Sequence, residues 1–206
     1  MMNEEQAVLD FFSLTENLPL ALSVAEQVDT TRQQLNRAFW LALCERIAAS
    51  TPEWKAAATE DRNDEDSLVG LHLEPVHKQT LYLRPMLEQQ YLGDVVRIYF
   101  GLMWSTVPAP ALTRLSAVST LRDTLLASGF KNNENFLAWQ WTPYHPRRRD
   151  FLLRFATAPD ALLDEVSALL HSLLVTHADA VHAANLALRD APRSTAISLT
   201  QLRSKL

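Results

Sequence analysis

Three strand-like runs enclosed by helical patterns on both sides constrain the fold of this chain more than any other feature. The runs cover residues 69–76, 79–86 and 94–104. In the third run, Val96, Ile98 and Phe100 occupy every second position, which is the period of a half-buried strand. Turn-forming residues at 75–78 and 93–94 separate the runs. The pattern predicts a small antiparallel meander.

The first fifty residues have helical periodicity. A short helix extends through Phe12, a second helix begins at Pro19, and Asp29 is placed to cap a third, longer helix. The third carries a single apolar stripe. The stripe consists of Leu35, Phe39, Ala42, Leu43 and Ile47. We therefore expect an antiparallel helical lobe over residues 1–50, followed by an acidic linker over residues 51–68 that includes a loop at 51–66.

The C-terminal half continues with a helix in 106–129, ended by Gly129, and an aromatic strand at 136–142. A helix begins with Asp150 as its N-cap. A long helix of about thirty residues follows a capping box at Thr157 and Asp160, and its length allows a break near Thr176. The expected fold class is α+β, with a helical lobe, a small meander sheet with an additional strand, and a long C-terminal helix. Residues 69–190 form one compact unit with 1–50, and residues 191–206 form a mobile tail.

Composition excludes several classes of protein. The formal net charge of −5 argues against a protein that coats nucleic acid through its overall field, although a local basic patch remains compatible. Four glycines, without a G-x-G-x-x-G or G-x-x-x-x-G-K motif, do not suit a phosphate-cradling loop. Cys44 lies within a helical pattern and is interpreted as a core residue. With no signal peptide and no apolar run of about 18 residues, the sequence predicts a cytoplasmic protein without a membrane segment or cofactor.

The titratable residues do not form a recognisable catalytic or metal-binding motif. His171, His177 and His182 are six and five residues apart, so they do not converge on one helix face as i, i+4 ligands would. His72 and His77 flank a predicted turn, and no G-x-S-x-G elbow is present. The sequence therefore predicts neither a metal site nor a catalytic residue.

The segment NFLAWQWTPYHPRRRDF, residues 135–151, carries the candidate binding site. The candidate residues are aromatic side chains followed by a cation cluster: Trp139, Trp141, Tyr144, Arg147, Arg148 and Arg149. Three guanidiniums directly before a helix lie where the helix dipole disfavours cations. Stacking surface beside fixed cations suits a nucleic acid or another anionic partner. The alternative interpretation is a core strand followed by a solvated basic loop.

The chain also resembles part of a known family. Residues 16–49, the run RIYFGLMW at 97–104, the strand NFLAWQW and the helix from Asp150 are similar, in this order, to the C-terminal extension of large bacterial proteins of the PD-(D/E)XK nuclease superfamily. The resemblance spans residues 3–186. It implies an α+β extension that follows a nuclease domain and is linked to nucleic-acid processing or phage defence.

The nuclease signature itself is absent from the sequence. That chemistry needs an Asp on one strand and an acidic-x-Lys on the next, which together hold a divalent metal. Glu53–Trp54–Lys55 is the only acidic-x-Lys, and it follows a helix in a polar stretch with no preceding strand. The resemblance therefore implies the extension without its catalytic domain.

Three hypotheses for function follow. The first is a non-catalytic interaction or regulatory module with a protein partner, and the second is a direct nucleic-acid binder that uses the Trp/Arg segment 139–149. The third is a small enzyme with an unrecognised site. Its candidate residues are Glu53, His72, Glu74 and His77. The missing motifs and the acidic net charge favour the first hypothesis.

Overall fold

The computed structural model describes residues 4–61, 64–76, 82–92, 95–192 and 196–197. The chain divides into two compact units, Met1–Leu35 and Asn36–Leu206. Helices and one five-stranded antiparallel sheet make up the structure, so the predicted α+β class is confirmed.

The described part of the first unit consists of two helices and the turn between them. It contains α1, Glu4–Ser13, and the beginning of α2, Leu18–Ser50. The Leu14 carbonyl accepts hydrogen bonds from the backbone N–H groups of Asn17 and Leu18, both at 2.9 Å, and these close the turn between the helices. Within the described residues, no single helix is both long and apolar enough to cross a membrane; α1 and α2 pass that test only as a bent pair.

The prediction of separate second and third helices was wrong, because α2 is continuous. Residues 20–50 contain neither glycine nor proline, so nothing in the backbone interrupts the helix. Asp29 does not cap a helix but lies inside α2, where its carboxylate pairs with Arg32 at 3.3 Å. An i, i+3 ion pair of this kind stabilises a continuous helix.

The sheet of the second unit has its strands in sequence order. They are β1 Trp54–Asp61, β2 Asp64–Pro75, β3 Leu83–Leu92, β4 Val95–Trp104 and β5 Phe136–Trp141. Each strand pairs antiparallel with its neighbour. The predicted meander and the additional aromatic strand are confirmed. Residues 77–81 and 93–94, which hold most of the predicted turns and the start of the second run, lie outside the described residues.

The prediction of a loop over 51–66 was wrong, because β1 and the start of β2 occupy most of it. β1 pairs with β2 from Trp54 opposite Pro75 to Thr59 opposite Gly70. Its inward positions include Ala56, which is too small to give a clear alternating pattern. Charged residues are tolerated because β1 is an edge strand, and register shifts after Thr59 interrupt the pairing.

Four further helices lie in the described part of the second unit. They are α3 Ser116–Ala127, α4 Arg149–Thr157, α5 Pro159–Thr176 and α6 Ala178–Leu188, and a short 3-10 turn precedes α3. Gly129 ends α3 with φ of 89°, as predicted. The N–H groups of Gly129 and Phe130 donate to Leu126 and Leu125, which is the Schellman arrangement.

Two predicted helix starts differ from the structure. α4 begins at Arg149 with Arg148 as its N-cap, so Asp150 lies in the first turn rather than at the cap. Thr157 ends α4 and bonds back to the Leu153 carbonyl at 2.8 Å, so it is not part of a capping box. Proline at the first position of α5 supplies the start signal instead. The long C-terminal helix breaks at His177, next to the predicted position.

The core of the second unit lies between the sheet and the helices. From α2, Phe39, Trp40 and Leu43 are fully buried, and the Trp40 indole donates to Gln89 Oε1 on β3 at 3.0 Å. The predicted tail at 191–206 lies mostly outside the described residues. Of its described part, Ile197 is buried against the core.

Candidate interaction surfaces

Trp139 and Trp141 lie on one face of β5, where they pack against aromatic residues of the sheet. Trp139 is opposite Gly101 and Trp141 is opposite Tyr99 on β4. The two indole rings meet edge to face with their centroids 5.5 Å apart. Trp139 is only 5% exposed and Trp141 is half-buried. Trp139 therefore has almost no ring surface on which a nucleic-acid base could stack.

Each of these tryptophans has a cation beside it, but not one from the arginine triplet. The Arg97 guanidinium lies 5.6 Å from the Trp141 ring centre, and its Nε donates to the Thr142 carbonyl at 2.6 Å. The Lys131 ammonium lies 5.7 Å from the ring centre of Trp139. The sequence pattern did not indicate either cation. Arg97 gave the better signal, since it interrupts the apolar residues of β4.

Tyr144 connects the sheet to the helices. The N–H of Ile98 donates to the Tyr144 carbonyl at 3.0 Å, so the chain follows β4 beyond the end of β5. The Tyr144 hydroxyl donates to Glu165 on α5 at 3.3 Å, and Arg154 donates to the same carboxylate at 2.8 Å. Burial and the neighbouring Glu165 raise the pKa of Tyr144. Tyr144 fixes the segment that leads into the arginines.

The arginine triplet lies around the start of α4. Arg147 donates to the Tyr91 hydroxyl and places its guanidinium 5.8 Å from the centre of that ring. Arg148 pairs with Asp150 at 3.3 Å, and both Arg148 and Arg149 are exposed. The positive end of the α4 dipole adds to the same field. These groups create a local positive potential on an otherwise acidic protein.

Tyr91 is the next-to-last residue of β3, and exposed apolar residues follow it in sequence. Tyr91, Leu92 and Val95 are each exposed by 40% or more. Tyr91 pairs with Val96 on β4, whereas Trp141 pairs with Tyr99. Because side chains alternate along a strand, the structure separates Arg147 and its tyrosine from the tryptophans, which lie on the opposite face. Leu92 pairs with Val95, and by the same alternation both lie on the side of the tryptophans, opposite Tyr91. We call the following residues the basic surface: Tyr91, Arg147, Arg148 and Arg149.

The residues considered for an enzyme site are only partly brought together. His72 Nε2 lies 3.3 Å from Glu74 Oε1, and Arg84 is 3.9 Å from the same oxygen. Burial lowers the pKa of His72, Arg84 lowers it further, and Glu74 opposes them. Glu53 is exposed, and His77 lies outside the described residues.

Two further features bear on catalysis. The described part of the chain contains no group of three or more His, Cys, Asp or Glu side chains that could hold a metal ion. Glu53–Trp54–Lys55 leads into β1 rather than a polar loop, which corrects the sequence interpretation. β1 is nevertheless the first strand among the described residues. The described part of the chain therefore has no earlier strand that could carry the Asp needed for the nuclease chemistry.

A second surface lies on the N-terminal unit. Nine large apolar side chains in the described part of this unit are exposed. We call them the apolar N-terminal surface: Val8, Leu9, Phe11, Phe12, Leu14, Leu18, Leu20, Leu22 and Val24.

Comparison with known proteins finds no significant match among protein-family models, curated proteins or solved structures.

Proposed function

We propose that this chain is a cytoplasmic, non-catalytic interaction module that binds an acidic partner protein through the basic surface. The observation that carries the proposal is the arrangement of Arg147 over the exposed ring of Tyr91, next to the exposed Arg148 and Arg149. Arginine and tyrosine are among the residues that contribute most binding energy at protein interfaces. The resemblance to the PD-(D/E)XK extension supplies the setting, which is nucleic-acid processing or phage defence.

The aromatic residues favour a protein partner over a nucleic acid. Binding of a single strand uses several aromatic faces in succession, each exposed to a base. Trp139 is buried, and Arg97 lies over the half-buried Trp141. Tyr91 remains as the exposed ring of the basic surface, and one ring is a weak stacking platform.

Direct nucleic-acid binding is the second candidate. The exposed guanidiniums of Arg148 and Arg149 beside the start of α4 favour it, because phosphates bind such positions. Its affinity would fall steeply with salt as counterions are released.

The first experiment measures binding of a fluorescent single strand and a duplex at low and moderate salt. It compares wild type with Arg147→Ala/Arg148→Ala/Arg149→Ala. A charge-matched control carries Arg114→Ala/Arg122→Ala/Arg189→Ala on other parts of the second unit. Tight, salt-sensitive binding that only the first variant loses would establish the second candidate and overturn the first.

The second experiment identifies the partner by crosslinking in cells that express the chain. We expect an acidic protein to be captured by wild type and by the control variant, and to be lost from the Arg147/Arg148/Arg149 variant. Equal capture by all three proteins would contradict a docking role for the basic surface.

A further inference from the structure

β1 is an outer strand of the sheet, and no described residue pairs with its outer side. The strand order β1-β2-β3-β4-β5 makes β1 and β5 the two outer strands. Lys131 pairs with Trp139 on the outer side of β5, whereas the described part of the chain makes no such bridge to β1. An outer strand presents backbone N–H and C=O groups with which another strand can pair.

The hydrogen-bond register identifies the backbone groups at this edge. The N–H of Val76 donates to the Glu53 carbonyl at 2.9 Å, just before β1 begins. In an antiparallel ladder, residues that make such bonds to the neighbouring strand alternate with residues whose backbone groups point the other way. Ala57 therefore points its backbone groups towards β2, and Ala56 and Ala58 point theirs towards the open edge.

Two neighbouring contacts support this register. Pro75 on β2 lies opposite Trp54 and has no backbone N–H. At this position the nitrogen of a β2 residue points away from β1, so the proline removes no bond between the two strands. The Trp54 N–H points away from β2 as well, since it donates to the Thr51 carbonyl at 2.9 Å.

The centre of β1 lacks the features that protect an edge strand. Proteins protect such strands with charged side chains, prolines or bulges. In β1 the charged Lys55 precedes the centre, and the register shift after Thr59 follows it. Between these two positions are three consecutive alanines, at 56–58, and then Thr59. A methyl group is too small to shield the backbone beside it.

The side chains around this edge indicate the kind of strand that fits. Ala56 lies opposite Leu73, and Ala58 lies opposite Leu71. Both leucines are fully buried in the core, so the core reaches β1 at two very small side chains. A strand added there would bury large apolar side chains beside the alanines. On the other face of the sheet, an acidic side chain next to Lys55 would pair with its ammonium group.

We propose that β1 binds an extended segment of a partner protein as an additional strand, and that apolar and acidic residues alternate in this segment. Backbone hydrogen bonds supply affinity in this mode of binding, and alternate side chains supply specificity. The open groups are backbone donors and acceptors at every second residue, which an extended chain matches and a helix does not. β1 shares no residue with the basic surface, so either proposal can fail without the other.

The alanines also argue against a second copy of β1 as the added strand. If two β1 strands paired antiparallel about Ala57, Ala56 of one copy would lie opposite Ala58 of the second copy. Aromatic, β-branched and oppositely charged cross-strand pairs are all more stable than a pair of alanines. A segment with larger apolar residues therefore completes this edge better than the chain itself does.

The test measures the fluorescence anisotropy of a labelled peptide of about eight residues, a common strand length, in which valine and glutamate alternate. Repulsion between the glutamates keeps the free peptide soluble at neutral pH. A control peptide has the same side chains but carries a methyl group on every backbone nitrogen. It can make similar side-chain contacts but cannot donate a backbone hydrogen bond.

Three variants of the full chain locate the binding site. Ala58→Pro removes an outward N–H and leaves the bonds between β1 and β2 in place, because proline is tolerated where the nitrogen of an edge strand faces solvent. Ala58→Thr keeps that N–H and is the matched control. Arg147→Ala/Arg148→Ala/Arg149→Ala shows whether the acidic peptide binds the basic surface instead. Near-ultraviolet circular dichroism of the buried tryptophans checks that each variant folds.

We expect the alternating peptide to bind wild type, Ala58→Thr and the arginine variant equally, and Ala58→Pro at least about tenfold more weakly. The methylated peptide should bind none of them. This second comparison tests the proposal on wild type alone, even if Ala58→Pro does not fold.

Several results would overturn the proposal. They are equal binding by a folded Ala58→Pro variant, binding of the methylated peptide, and no binding by wild type up to about 1 mM. Loss of binding in the arginine variant alone would assign the peptide to the basic surface. A wild-type dimer in sedimentation velocity that Ala58→Pro converts to a monomer would overturn the choice of partner in favour of a second copy.

Discussion

Arg147 lies with its guanidinium 5.8 Å from the centre of the Tyr91 ring and donates to the hydroxyl of that residue. The two residues are 56 positions apart in sequence, and both belong to exposed parts of the second unit. The contact fixes one arginine of the triplet, while Arg148 pairs locally with Asp150. The arginine segment is therefore anchored to the sheet at one residue.

This contact predicts a measurable coupling between the two side chains. In a double-mutant cycle with Arg147→Ala and Tyr91→Leu, we expect a coupling free energy of about 0.5–1 kcal/mol, the range for an exposed cation–π pair. Denaturant unfolding of the four proteins measures it. Strictly additive effects of the two substitutions would show that the contact does not stabilise the fold.

Gly101 is expected to be the least replaceable glycine of the sheet. A Cβ at this position would meet the Ala138 carbonyl oxygen and lie 2.7 Å from the Trp139 Cα, so β5 would have to move. We expect Gly101→Ala to lower the free energy of unfolding by about 1–3 kcal/mol, as overpacking does. Denaturant unfolding measures this loss, and the same measurement on Gly129→Ala provides the comparison.

At Gly129 the added Cβ would have open space, with its nearest neighbour 3.9 Å away, but the φ of 89° strains any other residue. We expect Gly129→Ala to cost about 1 kcal/mol, which is less than Gly101→Ala. The reverse order would contradict the close approach of β4 and β5.

The sequence predicted the centre of the sheet because β4 has large apolar residues at alternating positions. It did not predict β1, whose alanines give little hydrophobic signal and whose edge position tolerates charge. It also divided α2 at Asp29, because an isolated aspartate followed by a helical stripe is indistinguishable from a cap until its ion pair with Arg32 is known.

The candidate site was predictable only as a set of residue types. Local sequence indicated that tryptophans precede arginines, but the side on which each lies depends on strand register. Tyr91, which contacts Arg147, is remote in sequence and belongs to another strand. Pairings of that kind follow from the tertiary fold and leave no short-range pattern.

His72 should make stability depend on pH. Burial and Arg84 lower its pKa below the ordinary 6.5, despite the opposing effect of Glu74, so the unfolded state takes up a proton at higher pH than the folded state. The contribution of neutral His72 to the free energy of unfolding is therefore complete above pH 6.5. It is lost as the pH falls below that value and the folded protein takes up the proton. The slope should stay well under the limit of about 1.4 kcal/mol per pH unit for one proton, because the side chain is partly solvated.

Denaturant unfolding at intervals of about one pH unit between about pH 5 and 8 measures the slope of the free energy of unfolding against pH. We expect His72→Gln to flatten the curve below pH 6.5 relative to wild type. His171→Gln, at an exposed position on α5, is the matched control and should retain the wild-type slope. An unchanged slope in His72→Gln would assign the pH dependence to other groups.

Cys44 should react slowly with thiol reagents. Burial, with a smaller effect of the neighbouring Glu45, raises its pKa from 9.0 to about 11. The thiolate is the reactive form, so two pKa units reduce its population at pH 8 by about 100-fold. We expect alkylation of the folded protein by iodoacetamide to be slower than that of the denatured chain by at least this factor, measured by mass spectrometry. A rate close to that of the denatured chain would mean that the α2 segment around Cys44 opens readily and that the thiol is not held in the core.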